Sequence, residues 1–299
     1  MGTRLVSDTT RTCTLTAASS GYAIQFGYRD DATGIDWFLN DIDYGGDITS
    51  TLMSFPNRHG GVVSSQFLEP RVMTLKVTAV CPSLVARDYA RDLVRKVLPF
   101  NNAMFDLQYT EALVGSSLLV DEPTPKYFPL VFRSGRILER RISATSVEFT
   151  IGLVSPDPRA LSYDFYSIEL APPSPPTGIE FPVVPPIEFP ASSQSIWAYI
   201  NNEGNIDAAV TALLVGPQVN PGIVTSDGRR TLFNCELYEG DTLDIRFDQQ
   251  YALYNGSTPV AATLDSTWIT FPSGLTIVAM ATTSFTGLGS ISWRYGYEV

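Results

Sequence analysis

A mainly β chain of two β-sandwich-type domains, the N-terminal one with a single amphipathic helix packed on its sheet, is predicted by three features of the sequence. Short runs rich in Thr, Val, Tyr and Phe alternate with polar residues and are broken at intervals of about ten residues by turns bearing glycine or proline. Charged residues, which include the commonest helix formers, make up only 17% of the chain, too few for an array of solvated helices. The third feature is the stretch from Ala171 to Pro190, in which eight of twenty residues are proline. Proline lacks an amide proton and fixes φ, so this stretch is excluded from helices and central strands and reads as extended polyproline II. It predicts a division into a domain at 1–168, a linker at 169–195 and a sandwich at 196–299.

Along the first domain the alternation predicts strands at Tyr22–Tyr28, Asp36–Asp43, Gly61–Phe67 and Val72–Val80. In the last of these, Met73, Leu75, Val77 and Ala79 mark an apolar face opposite Val72, Thr74, Lys76, Thr78 and Val80. The one helix follows. Pro82-Ser83 supplies an N-cap, Leu84–Leu98 places Val85, Tyr89, Leu93 and Val97 at helical spacing, and Pro99 ends it;. That stripe is expected to pack on the sheet. Arg87, Arg91 and Arg95 repeat at the same interval, interleaved with Asp88, Asp92 and Lys96, and read either as a solvated face laced with ion pairs or as a contact between subunits. Further strands are expected at Met104–Tyr109 and Tyr127–Phe132, then a long pair turning near Arg133–Arg136 and running to Val154, closed by Ser155-Pro156-Asp157-Pro158.

Beyond the linker, Ile196–Ile200 and Ala208–Val215 read as a hairpin around Asn201–Asn205. Strands near Thr231–Cys235, Thr242–Phe247, Gln250–Tyr254, Thr267–Phe271, Leu275–Thr282 and Ser290–Tyr297 complete a sandwich of about 100 residues. Asn255-Gly256 is a tight hairpin turn rather than part of a glycosylation site. The linker itself is unusual for a tether. It carries Ile179, Phe181, Val183, Val184, Ile187 and Phe189 and repeats Ile-Glu-Phe-Pro, so Phe181 and Phe189 are expected to bury against protein.

Charge narrows the functions. The net charge is −11, and residues 171–299 carry four basic against twelve acidic side chains, which opposes binding to a nucleic-acid backbone. The cluster Arg133, Arg136, Arg140, Arg141 could face an anionic partner, yet no aromatic residues interleave it. Cys13, Cys81 and Cys235 have no C-x-x-C spacing, so neither a disulfide framework nor a zinc site is expected. No segment approaches a membrane span, and the N-terminus has no apolar leader region, so the chain is expected to be made in the cytosol and left unprocessed.

Chemistry is hard to find. His59 is the one histidine, and in a loop flanked by glycine it reads as a loop residue. The stretch Asp41–Asp47 has acids at first, third and seventh positions with Gly46 at the sixth, but Leu52 stands where a calcium loop needs Glu, so no metal is expected. No phosphate-binding glycine loop occurs, and no cofactor or catalytic residue is expected. Trp197, Trp268 and Trp293 fall in expected strands of the second domain, where they serve a core or, if exposed, could stack on a sugar ring.

The order of these parts carries a resemblance. Arg71-Val72-Met73-Thr74-Leu75-Lys76-Val77, the capped helix, and Ile151-Gly152-Leu153-Val154-Ser155-Pro156-Asp157-Pro158 are followed by Asn201-Asn202-Glu203-Gly204-Asn205. Then come Leu237-Tyr238-Glu239-Gly240-Asp241-Thr242-Leu243-Asp244-Ile245, Ser266-Thr267-Trp268, Phe271-Pro272-Ser273-Gly274 and Ser292-Trp293-Arg294. In this order the chain resembles the distal tail protein family of long, non-contractile-tailed bacteriophages, over nearly its whole length. The resemblance implies a virion structural protein without catalytic residues. Its N-terminal domains would form a six-fold ring at the distal end of the tail tube, joining tube protein, tape-measure protein and the hub or receptor-binding components, with the C-terminal sandwiches projecting outward. The proline-rich apolar linker departs from the family pattern. A carbohydrate-binding adhesin or receptor-binding module is the alternative reading, carried by the sandwich and its tryptophans; a glycosidase built on a carboxylate pair is a third.

Overall fold

The computed structural model describes residues 9–17, 21–45, 48–49, 52–54, 61–63, 67–99, 103–113, 125–172, 196–283 and 287–298. They fall into two compact units, the first reaching to Tyr163 and the second running from Asp164 to Glu298. Every strand pairing described below is antiparallel.

The first unit begins with β1 (Thr9–Ala17), β2 (Ala23–Phe26), β3 (Arg29–Asp30) and β4 (Ile35–Asp43). Four short strands follow, β5 (Ile48–Thr49), β6 (Leu52–Ser54), β7 (Gly61–Val63) and β8 (Phe67–Leu68), then β9 (Arg71–Val80) and helix α1 (Leu84–Val97). It closes with β10 (Met104–Leu113), β11 (Lys126–Arg141), β12 (Ser146–Ser155) and β13 (Ala160–Ser162). Two sheets share the long β11: one runs β3-β4-β9-β12-β11, and in the other the first part of β11 pairs with β10, which pairs with β1, which pairs with β2. Phe132 marks the handover, standing opposite both Met104 and Val154.

Alternation decides which side chains fill the space between these sheets. On β9, Met73, Leu75, Val77 and Ala79 are fully buried, and on β12 Val147, Phe149, Ile151 and Leu153 meet them;. On β4 the buried residues shift phase, from Ile35, Trp37 and Leu39 to Ile42, because a bulge between Leu39 and Asp41 inserts Asn40;. Asn40 donates across to Thr78 Oγ1 at 2.7 Å. Aromatic edges bind the layers: Phe26 meets Trp37 at 5.6 Å between centroids, and Tyr44 stacks on Phe128 at 5.8 Å;. Arg71 is buried on β9 and donates to the carbonyls of Tyr44 and Pro158, satisfying backbone oxygens on two loops.

Helix α1 starts where the sequence places it, with Ser83 Oγ accepting from the Ala86 amide. Its buried face differs. Ala90, Val94 and Val97 point inward with Leu98 beyond them, whereas Val85 is 80% exposed and Tyr89 is half exposed. With this face inward, Arg87, Arg91 and Arg95 reach toward the β11–β12 hairpin. The hairpin turn also differs from expectation. It lies at Ile142–Thr145 rather than Arg133–Arg136, since Gly135 at φ +74 opens a bulge within β11 instead of reversing the chain.

The second unit contains β14 (Tyr166–Leu170), β15 (Trp197–Asn202), β16 (Ile206–Val215), β17 (Gln218–Val219), β18 (Gly222–Thr225), β19 (Arg230–Leu232) and β20 (Glu236–Leu237). It continues with β21 (Thr242–Arg246), β22 (Tyr251–Tyr254), β23 (Thr258–Val260), β24 (Gly274–Ala281) and β25 (Leu288–Tyr297). One sheet runs β23-β22-β21-β16-β25-β14, the other β15-β24-β18-β19. Val210, Ile245 and Ile291 from the first face Ile200, Ile223 and Val278 from the second in one buried cluster;.

Three features depart from the sequence expectation. Strand β14 belongs here, pairing Tyr166 with Trp293 through Leu170 with Gly289. Strand β14 precedes residue 173 in one sheet of this unit and β15 follows residue 195 in the other, and the unit begins at Asp164. Strands β15 and β16 pair with β24 and with β21 and β25, not with each other. Buried Asn202 makes that corner, donating to the carbonyls of Ile206 and Phe271 and accepting from the Gly204 amide. Finally, Thr267–Phe271 is not a strand, although Ile269 and Phe271 are buried.

Carboxylates brace the turns of this sandwich. Asp241 accepts from Asn255 Nδ2 at 3.0 Å, from the Tyr254 hydroxyl and from the Tyr238 amide. These bonds favour its ionised form and hold it below the usual carboxylate range;. Asp227, bonded by Thr225 and Arg229, and Asp265, bonded by Thr263 and facing Arg230, are lowered likewise. Tyr254 is the reciprocal case: its bond to Asp241 pushes it up to about 12. The signs give a pH profile. Depressed carboxylates add stability that is present above their unfolded value of about 4 and lost as pH falls through the folded values. Raised Tyr254 adds stability that is present below about 10 and lost as pH climbs towards 12;. Thermal melts should show a plateau between about pH 5 and 9 with losses on both sides, and Asp241→Asn should shallow both limbs; an unchanged profile would rule out this bracing.

Candidate functional site

The most concentrated arrangement of charged groups in the first unit lies where α1 crosses the β11–β12 hairpin. Helical spacing points Arg87, Arg91 and Arg95 the same way, and β11 presents Glu139 to them. Arg91 Nε donates to Glu139 Oε2 at 2.8 Å and Arg95 Nη2 to Oε1 at 2.7 Å, so one carboxylate holds two guanidiniums. Arg87 reaches the Ala144 carbonyl in the hairpin turn at 2.8 Å and Asp88 at 2.9 Å. Arg133 donates to the carbonyl of Leu98 just past the helix end. The helix is thus fastened to the hairpin by its arginine face, and the pairing with Glu139 raises the Arg91 pKa further.

A cleft of about 230 Å³ opens at this crossing, lined by Arg87, Arg91, Arg141, Glu139 and Val147. Arginine stays protonated and offers a planar fork of donors, so the cleft presents three guanidiniums around the one carboxylate of Glu139;. Arg91 and Arg95 retain substantial exposure, which screens their pairing. Glu139→Gln is therefore expected to cost only about 1 kcal/mol of stability, with a salt-dependent part, measured by urea unfolding at low and high ionic strength. A loss several times larger would mean that Glu139 braces the core.

The other sequence candidates are dispersed. Trp293 on β25 is buried, its Nε1 donating to the Asn201 carbonyl at 3.1 Å and its ring stacked on Tyr166. Trp268 contacts Phe233 and Phe247 edge-on and lines an open groove of about 490 Å³ with Gln250, Tyr251, Thr263 and Ser266. Trp197 opens β15, half-buried. Phe181, Phe189, His59 and Asp47 lie outside the described residues. Asp41 and Asp43 sit on β4, where Asp41 faces Lys76 at 3.5 Å.

Among the described residues no group of three or more His, Cys, Asp or Glu is placed to hold a metal, and no helix is long and apolar enough to cross a membrane. Cys13, Cys81 and Cys235 are free thiols, each pushed up by burial and so poorly nucleophilic;. The sequence singled out the arginine stripe but not its partner Glu139, which only the hairpin register brings to the helix.

Comparison of the chain with known proteins gives one informative result. The sequence matches no family model and no curated protein. The structure, however, overlays on the crystal structure of SPP1 Dit (gp 19.1), described as a paradigm of the hub adsorption apparatus in phages infecting Gram-positive bacteria. The TM-score is 0.59 at 11% identity, covering 96% of this chain and 99% of that one. Against the phage P2 baseplate in its activated conformation with calcium the TM-score is 0.44 at 10% identity, over 95% and 98% of the two chains. The SPP1 overlay establishes a shared fold.

Proposed function

We propose that this chain is a structural component of a phage tail tip, a distal tail protein whose first unit self-associates into a six-fold ring joining the tail tube to the hub and receptor-binding apparatus. The observation that carries this reading is the overlay on the SPP1 hub protein, which runs almost end to end in both chains despite 11% identity. The arginine-lined cleft supports it, since exposed guanidiniums on a sheet edge suit contact with acidic side chains of a neighbouring subunit;. Tube, tape-measure and hub proteins are the partners this reading expects, and the distal end of the tail is its location. Light scattering after size exclusion tests self-association: the ring reading expects a species near six times 32.7 kDa. A monomer at every concentration and in the presence of tube protein would overturn it.

A second reading, a carbohydrate-binding module, is favoured by the groove beside Trp268, whose lining holds no charged side chain. It expects glycan binding that Trp268→Phe weakens and that occurs without self-association.

A further inference from the structure

The two edges of the five-stranded sheet in the first unit carry opposite charge. The β11 edge bears Arg133, Arg136, Arg140 and Arg141 against the one carboxylate of Glu139. Arg136 and Arg140 are exposed and have no partner among the described residues, and Arg141 spends only its Nε, on the Ser143 carbonyl, leaving both terminal nitrogens open beside the cleft. The far edge, β3 and β4 with the turn between them, carries Asp30, Asp31, Asp36, Asp41 and Asp43. Two cations answer these five acids: Arg29 approaches Asp31 and Asp36 at 3.6 and 3.8 Å, and Lys76 approaches Asp41. Asp43 is exposed and without a partner among the described residues.

We propose that the cationic edge and its cleft receive carboxylates from the acidic edge of a second copy of this chain, so that copies join head to tail through complementary charge. This deepens the self-association reading and rests on it. Opposite edges of one sheet give a heterologous contact, the kind that closes into a ring when the rotation allows. Side-chain recognition fits better than strand addition, because the Gly135 bulge interrupts the outer edge of β11 and blunts it as a template;. A planar guanidinium pairs with carboxylate in two-point fashion, and Arg141 has that fork free. Exposed Leu138 and Ile142 flank the arginines and supply apolar contact at the same edge. In a chain of net charge −11, a patch of this sign is where a second copy meets least repulsion;.

The test uses charge reversal in the full chain. One variant carries Arg140→Glu with Arg141→Glu, the other Asp31→Lys with Asp43→Lys, all at exposed positions, and circular dichroism melts check the fold of each. Sedimentation velocity is expected to show self-association of the wild type weakened by salt, and each variant alone weakened at least tenfold. Mixed in equal amounts, the variants should assemble again, because the reversed edge of each then meets the reversed edge of the other, and the unreversed edges likewise meet each other, every contact being between opposite signs. Wild-type assembly matched by both variants would overturn the charged contact while leaving the ring standing. Two inactive variants that fail to rescue each other would overturn the pairing of these two edges. A wild type that stays monomeric would overturn both the contact and the ring.

Discussion

Trp293→Ala is expected to destabilise the second unit by about 3–5 kcal/mol, the range for removing a large buried aromatic side chain. The indole is 8% exposed, and three attachments are lost with it. The ring covers Tyr166, which in turn stacks on Tyr295 at 4.5 Å. Its Nε1–H satisfies the Asn201 carbonyl at the β15–β16 corner. Its strand position opposite Tyr166 helps to hold β14 in the sheet. Urea unfolding measures the loss, with Trp293→Phe as the milder partner variant. A stability change below about 1 kcal/mol together with lost glycan binding would instead make Trp293 a sugar platform.

Gly27→Ala is expected to cost about 3 kcal/mol or more and to reduce soluble yield sharply. Two penalties add here. Gly27 holds φ +86, a conformation that costs an L-residue about 1–2 kcal/mol;. An added Cβ would also stand 1.9 Å from the Arg11 carbonyl oxygen on β1, so backbone must move. Gly27 donates to the Trp37 carbonyl, and displacement would loosen the crossing from β2 to β4 that positions the acidic edge. Gly135→Ala supplies the control. Its φ is +74 but nothing lies within 4 Å of the added carbon, so only the conformational cost of about 1–2 kcal/mol applies. Equal losses in the two variants, read from urea midpoints, would contradict the steric part.

Much of the fold was legible because its strands keep a period of two. Met73 to Ala79 declared the buried face of β9, and Ser83 with Pro99 bracketed the helix to within a residue. What stayed hidden had a non-local cause. The phase shift at Asn40 and the bulge at Gly135 depend on the partner strand, so a local pattern reads one as continuous strand and the other as a turn. Tyr166, Ile168 and Leu170 alternate with Ser167 and Glu169 as a strand should, yet the prolines that follow drew the boundary to themselves. Asn202 reads as a turn residue, but it ends β15 and links two sheets rather than one hairpin. The arginine stripe was visible from spacing alone. That Glu139 would receive two of its members, and that acids on β3 and β4 would lie at the opposite edge of the same sheet, required the strand order.

A tail-tip role is tested most directly by locating the protein in purified phage particles. Immunogold electron microscopy on purified particles, with antibody raised against this chain, is the measurement to make. Gold confined to the distal end of the tail is the expected result. Gold along the tail tube, on the capsid, or absent from intact and detergent-opened particles alike would contradict a tail-tip hub.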